Sequence, residues 1–321
     1  MTQAKRKLGR TDIEISPIGL GAWQFSNYRL GPFSTWQPMD PNTINEVVAT
    51  ALEHGINWFD TAELYGFGRS ERALAAALQH IKQTNGTIRI ATKWSPLLRT
   101  ARSIERTIDR RLDALSPFAI DLYQIHFPAA LSSIEAQMDA MAKLMKAGKI
   151  RSIGVSNFSA SQMKRAEAQL QTHGLTLASN QVPYSLLNRR IESNGVLDTA
   201  KALGVTIIAY SPLEQGLLTG KFHDRPEQLE SRPFNRRQSL RKGLETSRTL
   251  IDVMRPIAAA HSASLTQVAL NWLIQVPGGN VVAIPGATKV HHVIDSAGAM
   301  SIALSKDEWE QLEVASRAFL N

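Results

Sequence analysis

The sequence predicts an α/β fold in which eight strand–helix units wind into a (β/α)8 TIM barrel. Three observations carry that expectation. Short β-rich apolar runs alternate with amphipathic helical runs along the chain. There are eight such apolar runs. No GxGxxG fingerprint follows the first, because Gln24 stands where the third glycine after Gly19-Leu20-Gly21 would be. Alternating units pair in parallel through right-handed crossovers, and eight of them can close on themselves. The absent glycine argues against the open, doubly wound alternative.

The elements follow in order. Residues 5–16, KRKLGRTDIEIS, read as two short strands around Gly9-Arg10-Thr11-Asp12, a hairpin able to plug the barrel bottom. The eight barrel strands are expected within residues 18–23, 56–62, 88–94, 120–127, 150–158, 177–184, 205–213 and 281–287. Helices are expected from Thr43 to His54, Ser70 to Gln79, Ser103 to Leu115, Ser132 to Ala147, Ser159 to His173 and Gly195 to Leu203. A longer helical region runs from about Ser247 to Val276, and a C-terminal helix opens at Ser305. Ser132 with Glu135, Ser159 with Gln162, Ser264 with Gln267 and Ser305 with Glu308 have capping-box spacing. Gly55, Gly148, Gly174 and Gly204 mark helix ends. Residues 214–245, rich in Arg, Gly and Pro, read as a long insertion after the seventh strand, a length that is usually functional or mobile.

Composition narrows the classes. The chain has 321 residues, 43% apolar and 20% charged, which excludes a disordered chain or a membrane bundle. Its length suggests two domains by simple division, but barrels exceed 250 residues as one unit, and residues 1–321 read as a single domain. No run reaches the ~18 apolar residues of a membrane span, and the first residues carry no apolar signal segment. Cysteine is absent, so disulfides, thiolate nucleophiles and Cys-ligated metals are excluded. A cytoplasmic location is expected. The net charge of +8 (36 − 28) admits nucleic acid, an anionic surface or a phosphorylated ligand.

In such a barrel the chemistry sits at the C-terminal ends of the strands. The polar residues there are Asp60, Lys93, His126, Ser156-Asn157, Gln181, Tyr210-Ser211 and Pro285-Gly286. Asp60 to Lys93 and Lys93 to His126 are both steps of 33 residues (93 − 60 and 126 − 93), one strand–helix unit each, so the three share a rim. Tyr65 lies in the following loop, DTAELYG, and can fold over that rim. Taken singly, Asp60 reads as a helix cap, Lys93 as a surface lysine and His126 as a core histidine. Their joint placement favours chemistry. A tyrosine hydroxyl has an ordinary pKa near 10. A neighbouring ammonium pulls it down, a carboxylate holds the ammonium, and a histidine can orient a carbonyl. The set is a general acid for a carbonyl oxygen, and the electrons must come from a cofactor.

The runs WFDTAELYG, ATKW, YQIHF, GVSNF, AYSPLEQGLLTGKF and AIPGA, in that order over nearly the whole chain, resemble the aldo-keto reductase family. The wording looks more like its bacterial and plant branch, and the potassium-channel β subunits, than like aldose reductase. The resemblance implies a (β/α)8 barrel without a Rossmann domain and a reductase of aldehydes and ketones that uses NADP(H). It makes Asp60, Tyr65, Lys93 and His126 the catalytic tetrad, with Tyr65 as the acid. It places Ser156, Asn157 and Gln181 on the nicotinamide carboxamide and Tyr210 on the ring, with Ala22 and Trp23 also at the cofactor. Ser211, Pro212, Leu213, Gly216, Leu218 and Lys221 would line the pyrophosphate. Gly286, Thr288, Lys289 and His292 fall where a 2′-phosphate is read, and Asp295 and Ser296 fall near the adenine. Relatives usually carry Asn at the position of Ser296 and Gln or Arg at that of His292. Lys289 and Thr288 still suit a phosphate, and Arg236 and Arg237 could add to it.

Trp23, Trp94 and Phe127 are expected to wall the substrate pocket together with Tyr65 and His126, and Tyr28, Phe33, Trp36 and Phe158 belong to the same aromatic group. Arg69 and Arg99 could anchor a substrate carboxylate. The expected partner is a small carbonyl compound, with neither nucleic acid nor membrane; oligomeric state is not legible. The alternative is an NADP-binding, redox-sensing regulatory subunit with little turnover. A long N-terminal extension would mark it, and only some seventeen residues precede the first barrel strand.

Overall fold

A computed structural model of the chain describes residues 5–26, 38–230, 234–278 and 280–320. Two short strands, β1 (Arg6–Lys7) and β2 (Glu14–Ile15), pair antiparallel ahead of the barrel. The turn between them needs Gly9, whose φ of +58° is left-handed and where a Cβ would lie 2.5 Å from the Ala178 carbonyl oxygen. The hairpin brings Leu8, Ile13 and Ile15 against Trp58, Ala91, Leu122, Ala178, Ile208 and Val282, a buried apolar layer across the barrel bottom. The expected plug is therefore present.

The barrel strands are β3 (Leu20–Gly21), β4 (Trp58–Asp60), β5 (Arg89–Trp94), β6 (Leu122–Ile125), β7 (Ile153–Ser156), β8 (Leu177–Pro183), β9 (Thr206–Tyr210) and β10 (Val281–Ala283), eight in chain order. Every neighbouring pair is parallel. The ring closes where Ile18 bridges Ala283 and Gly21 bridges Gly286, with Gly19 N donating to the Ala283 carbonyl at 2.8 Å. This is a (β/α)8 fold, as the strand count predicts.

Helices α1 (Pro41–Glu53), α2 (Arg69–His80), α3 (Arg102–Leu115), α4 (Ile134–Lys146) and α5 (Ala160–Thr172) lie between successive barrel strands from β3 to β8. A short α6 (Arg190–Ser193) and α7 (Val196–Leu203) precede β9, and Gly204 ends α7 in the left-handed region. Serines 159, 264 and 305 form the expected capping boxes. At α4 the cap is Ser133, whose hydroxyl accepts from Ala136 N at 3.2 Å. Ser132 instead accepts from Ala101 N at 2.9 Å, tying two neighbouring loops together. Two adjacent serines offered the same chemistry, and tertiary packing chose between them.

The segment after β9 departs from the sequence expectation. A short α8 (Lys221–Asp224) follows a 3-10 turn over Glu214–Thr219, and α9 (Phe234–Ala260) starts thirteen residues before Ser247. Leu240, Leu250, Ile251, Met254 and Ile257 are buried at helical spacing, with Leu244 packed beside Leu240. An apolar stripe at that period makes a helix; here the basic residues between its members mask it. The chain then breaks before α10 (Leu265–Ile274), capped by Ser264, so the expected long helical region is two helices. After β10 come α11 (Val290–Gly298) and α12 (Lys306–Ala315). Among the described residues no helix is long and apolar enough to cross a membrane.

Candidate active site

Asp60 ends β4, Lys93 lies near the end of β5 and His126 follows β6. Residues on one strand alternate faces, so Trp58 and Asp60, Ala91 and Lys93, and Leu122 and His126 point into the barrel, apolar below and polar above. Lys93 and Asp60 are fully buried and paired at 2.5 Å. The ammonium also donates to the Thr61 carbonyl at 2.9 Å and to the Tyr65 hydroxyl at 3.5 Å. The other Asp60 oxygen accepts from Gln181 at 2.8 Å and from Gln124 at 3.2 Å. Both oxygens of the buried carboxylate are thus occupied, as an interior charge requires.

Gln124 is a partner of Asp60 that the list of polar strand ends does not include. Its signal is there in IDLYQIHF, because it shares the period-two face of Leu122 and His126. Gln181 reaches the site by another route. Register between β7 and β8 shifts at Ile153/Gly154, so that Leu177 and Ser179 oppose consecutive residues and Ala178 is extra. Such a bulge reverses the facing of everything beyond it. Leu177 packs outside the barrel, yet Gln181 turns in to Asp60.

Tyr65 sits in the turn between β4 and α2, with its ring edge-on to His126 at 5.8 Å and tilted against Trp23 at 6.1 Å. Burial, the largest influence, pushes its hydroxyl pKa up; Lys93 pulls it down and Asp60 pushes it up. The net direction is up, which corrects the expectation of a lowered pKa. The phenol keeps its proton. Burial likewise opposes the Lys93 charge, but Asp60 and Tyr65 outweigh it and hold the ammonium charged. Burial, then Lys93, depress His126 to about 3, so the imidazole is neutral. It stacks on Phe127 at 4.3 Å, and its Nδ1 is buried without a partner. This arrangement can give a proton to an oxygen at Tyr65 and stabilise the phenolate left behind.

Beyond the tetrad a row of side chains crosses the rims of β7 to β9. Ser156 donates to the Gln181 carbonyl at 2.9 Å. Asn157, with φ +61°, donates to the His126 carbonyl at 3.3 Å and accepts from the Tyr210 hydroxyl at 3.0 Å. At the far end burial, then His291, Lys221 and Lys289, lower His292 to about 4, and Asp295 opposes them. Thr288 lies 3.4 Å from the His292 ring. Gly216 stands beside the Lys221 ammonium, 3.1 Å from where a Cβ would be.

Some expectations meet a different geometry. Trp94 has no exposed surface: it donates to Ser103 at 3.1 Å and lies under the Arg99 guanidinium, so it supports a wall without lining one. Arg99 is bonded to Glu63, Ser103 and Thr107, which removes it as an anchor for a substrate carboxylate. Arg237 pairs with Glu230. Phe158 is core. Tyr28, Phe33 and Trp36 lie outside the described residues, as does the side chain of Arg236.

The sequence model of the Aldo/keto reductase family matches residues 17–317. The chain belongs to that family. It is 33% identical to the chloroplastic pyridoxal reductase of Arabidopsis thaliana over 98% of this chain and 86% of the relative. It is 34% identical to the aldo-keto reductase YhdN of Bacillus subtilis over 87% of this chain and 83% of the relative. Among solved structures it is similar to a thermostable aldo-keto reductase, Tm1743, in complex with the inhibitor epalrestat: TM-score 0.77, 31% identity, 98% of this chain and 100% of that chain. Aldo-keto reductases carry out nicotinamide-dependent oxidoreduction of carbonyls, and this one is an oxidoreductase of that kind. Its donor set fits a dinucleotide. Amides and hydroxyls lie along the β7–β9 rims, and the Lys221 and Lys289 ammoniums lie with Asp295 around His292 at the outer end.

Proposed function

We propose that this protein is an NADP(H)-dependent carbonyl reductase with Asp60, Tyr65, Lys93 and His126 as its catalytic tetrad. The observation that carries the reading is the Tyr65 hydroxyl 3.5 Å from an ammonium locked to a buried carboxylate. Tyr65 gives its proton to the carbonyl oxygen. Lys93 stabilises the phenolate as it forms, an electrostatic contribution that is strong because the ammonium is out of water. Asp60 keeps Lys93 charged and in place, itself steered by Gln124 and Gln181. His126, neutral, hydrogen-bonds the carbonyl oxygen and leaves proton transfer to Tyr65. The nicotinamide cofactor, when bound, supplies the hydride. Ser156, Asn157 and Gln181 would hold its carboxamide, Tyr210 its ring, and Ser211, Pro212, Leu213, Gly216, Leu218 and Lys221 its pyrophosphate. Lys221, Thr288, Lys289 and His292 would favour a phosphorylated ribose, which supports NADP(H) over NAD(H). Trp23 and Phe127, beside Tyr65 and His126, suit an apolar or aromatic carbonyl.

The test is Tyr65→Phe assayed against a panel of aldehydes and ketones with NADPH oxidation as readout. Turnover is expected to fall roughly 100-fold or more, while the Kd for NADPH stays within about twofold, because the cofactor contacts are untouched. Full turnover in the variant would refute the proton donor. A wild-type protein that binds NADP but reduces none of the panel would be the regulatory kind of subunit.

A further inference from the structure

We propose that Glu63 and Arg99 form a positioning pair that holds the Tyr65 hydroxyl against Lys93, an inference that rests on Tyr65 being the proton donor. Tyr65 is on a turn, and a turn needs outside support to hold one atom to within about half an ångström. Glu63 provides it with four groups. Its N–H donates to the Lys93 carbonyl at 3.2 Å, and its carbonyl accepts from Gly68 N at 3.0 Å. One carboxylate oxygen accepts from Ser95 N at 3.2 Å and the other from Arg99 at 2.7 Å. The Tyr65 turn is thereby tied at one residue to the strand that carries Lys93 and to the loop beyond it.

Arg99 makes the other half rigid. Its three guanidinium nitrogens each have a separate partner: Ser103 at 3.0 Å, Glu63 at 2.7 Å and Thr107 at 2.7 Å. The guanidinium lies over buried Trp94, 5.3 Å from the ring. The Arg99 carbonyl accepts from Leu131 N at 2.8 Å, so the loop after β6 is held as well. A planar fork engaged on every nitrogen and lying over an indole has one orientation, which a lysine does not reproduce. Three loops of the catalytic rim, those after β4, β5 and β6, are thus joined through Glu63 and Arg99, the third by the Arg99 backbone carbonyl. The bonds of Glu63 and Arg99 run to each other, to Ser103 and Thr107 and to backbone groups, so the pair acts on the backbone that carries Tyr65. Both are only about one-fifth exposed, so bulk solvent screens the pair incompletely.

The experiment measures Glu63→Gln, Arg99→Lys and Arg99→Ala beside wild type and Tyr65→Phe. The readouts are kcat, KM, NADPH Kd, thermal midpoint and the solvent deuterium isotope effect on kcat. Displacing the donor slows proton transfer itself. The three variants should therefore lose about 10- to 100-fold in kcat, with NADPH Kd within twofold and a larger isotope effect than wild type. Exogenous guanidinium should restore part of the kcat of Arg99→Ala, a rescue that a general folding defect would not show. Lowered kcat with an unchanged isotope effect and no rescue would mean a structural role only and would overturn the proposal. Wild-type kcat in Glu63→Gln and Arg99→Ala, with Tyr65→Phe inactive, would overturn it too. An active Tyr65→Phe would instead remove the reading beneath it.

Discussion

At the Tyr65 hydroxyl two influences oppose each other, and burial outweighs the ammonium. For a proton donor this is the useful order, since the acid stays protonated at neutral pH and Lys93 acts on the charge that appears as the proton leaves. Lys93 and Asp60 cannot be separated cheaply: removing one partner of a buried pair costs about 3–5 kcal/mol. His126 lends itself to a test by pH. Its folded pKa, held down to about 3 chiefly by burial, lies below the ordinary 6.5, so the unfolded chain binds a proton there that the native protein refuses. Stability therefore rises with pH across that window and is lost as pH falls from about 6.5 toward 3. Glu71 works in the opposite sense over an overlapping range. Burial raises it to about 7, so stability falls as pH rises from about 4.5 to 7. The two are separated by difference: the denaturation midpoint of His126→Gln should fall less steeply below pH 6.5 than that of wild type. Parallel slopes would mean that His126 is not the group resisting protonation.

The strands decide where side chains go, and β8 does so through one extra residue. Alternation alone sends Gln181 to the same side as Leu177; the bulge at Ala178 returns it to the barrel. The bulge crowds its neighbour strand. A Cβ on Gly154 would lie 2.3 Å from the Ser179 hydroxyl oxygen and 3.0 Å from Gln124 and Leu122. That hydroxyl is buried without a partner. Gly154→Ala is therefore expected to lose about 1–3 kcal/mol by overpacking. Ser179→Ala should be near neutral or stabilising, since it removes an unsatisfied polar group, and the double variant should recover part of the loss. Chemical denaturation of the four proteins closes this cycle; strictly additive effects would place the strain elsewhere. The hairpin is a second element with a separable job. Leu8→Ala should cost roughly 2–5 kcal/mol and leave NADPH binding unchanged, because the layer it packs in lies at the barrel end opposite the catalytic rim.

Over the whole molecule, the charge of +8 is partly local to the site. Lys221 and Lys289 both act on His292, and Asp295 opposes them. Convergent cations at an accessible rim are screened by salt, with a Debye length near 10 Å at 0.1 M. Raising ionic strength should therefore weaken NADP binding more than NAD binding, read as two Kd series by fluorescence titration. Lys289→Ala should flatten the NADP series toward that of NAD. Identical salt slopes for the two cofactors in the wild-type protein would remove this cluster as the reader of a ribose phosphate.

The amino-acid sequence by itself determined the succession of strands and helices, the hairpin, most helix caps and the polar strand ends at Asp60, Lys93 and His126. These depend on periods of two and 3.6 residues and on local capping chemistry, which are properties of short segments. The start of α9 was hidden because its apolar stripe is interleaved with basic residues. Only the tertiary structure decided which of Ser132 and Ser133 caps α4, that a bulge turns Gln181 inward, and that Gln124 completes the partners of Asp60. It also decided that burial outweighs Lys93 at Tyr65, and that Arg99 is committed to Glu63 and covers Trp94. Each of these depends on which distant groups share a space and how much water remains there. Closing the ring between β3 and β10 sets both, and spacing along the chain does not record them.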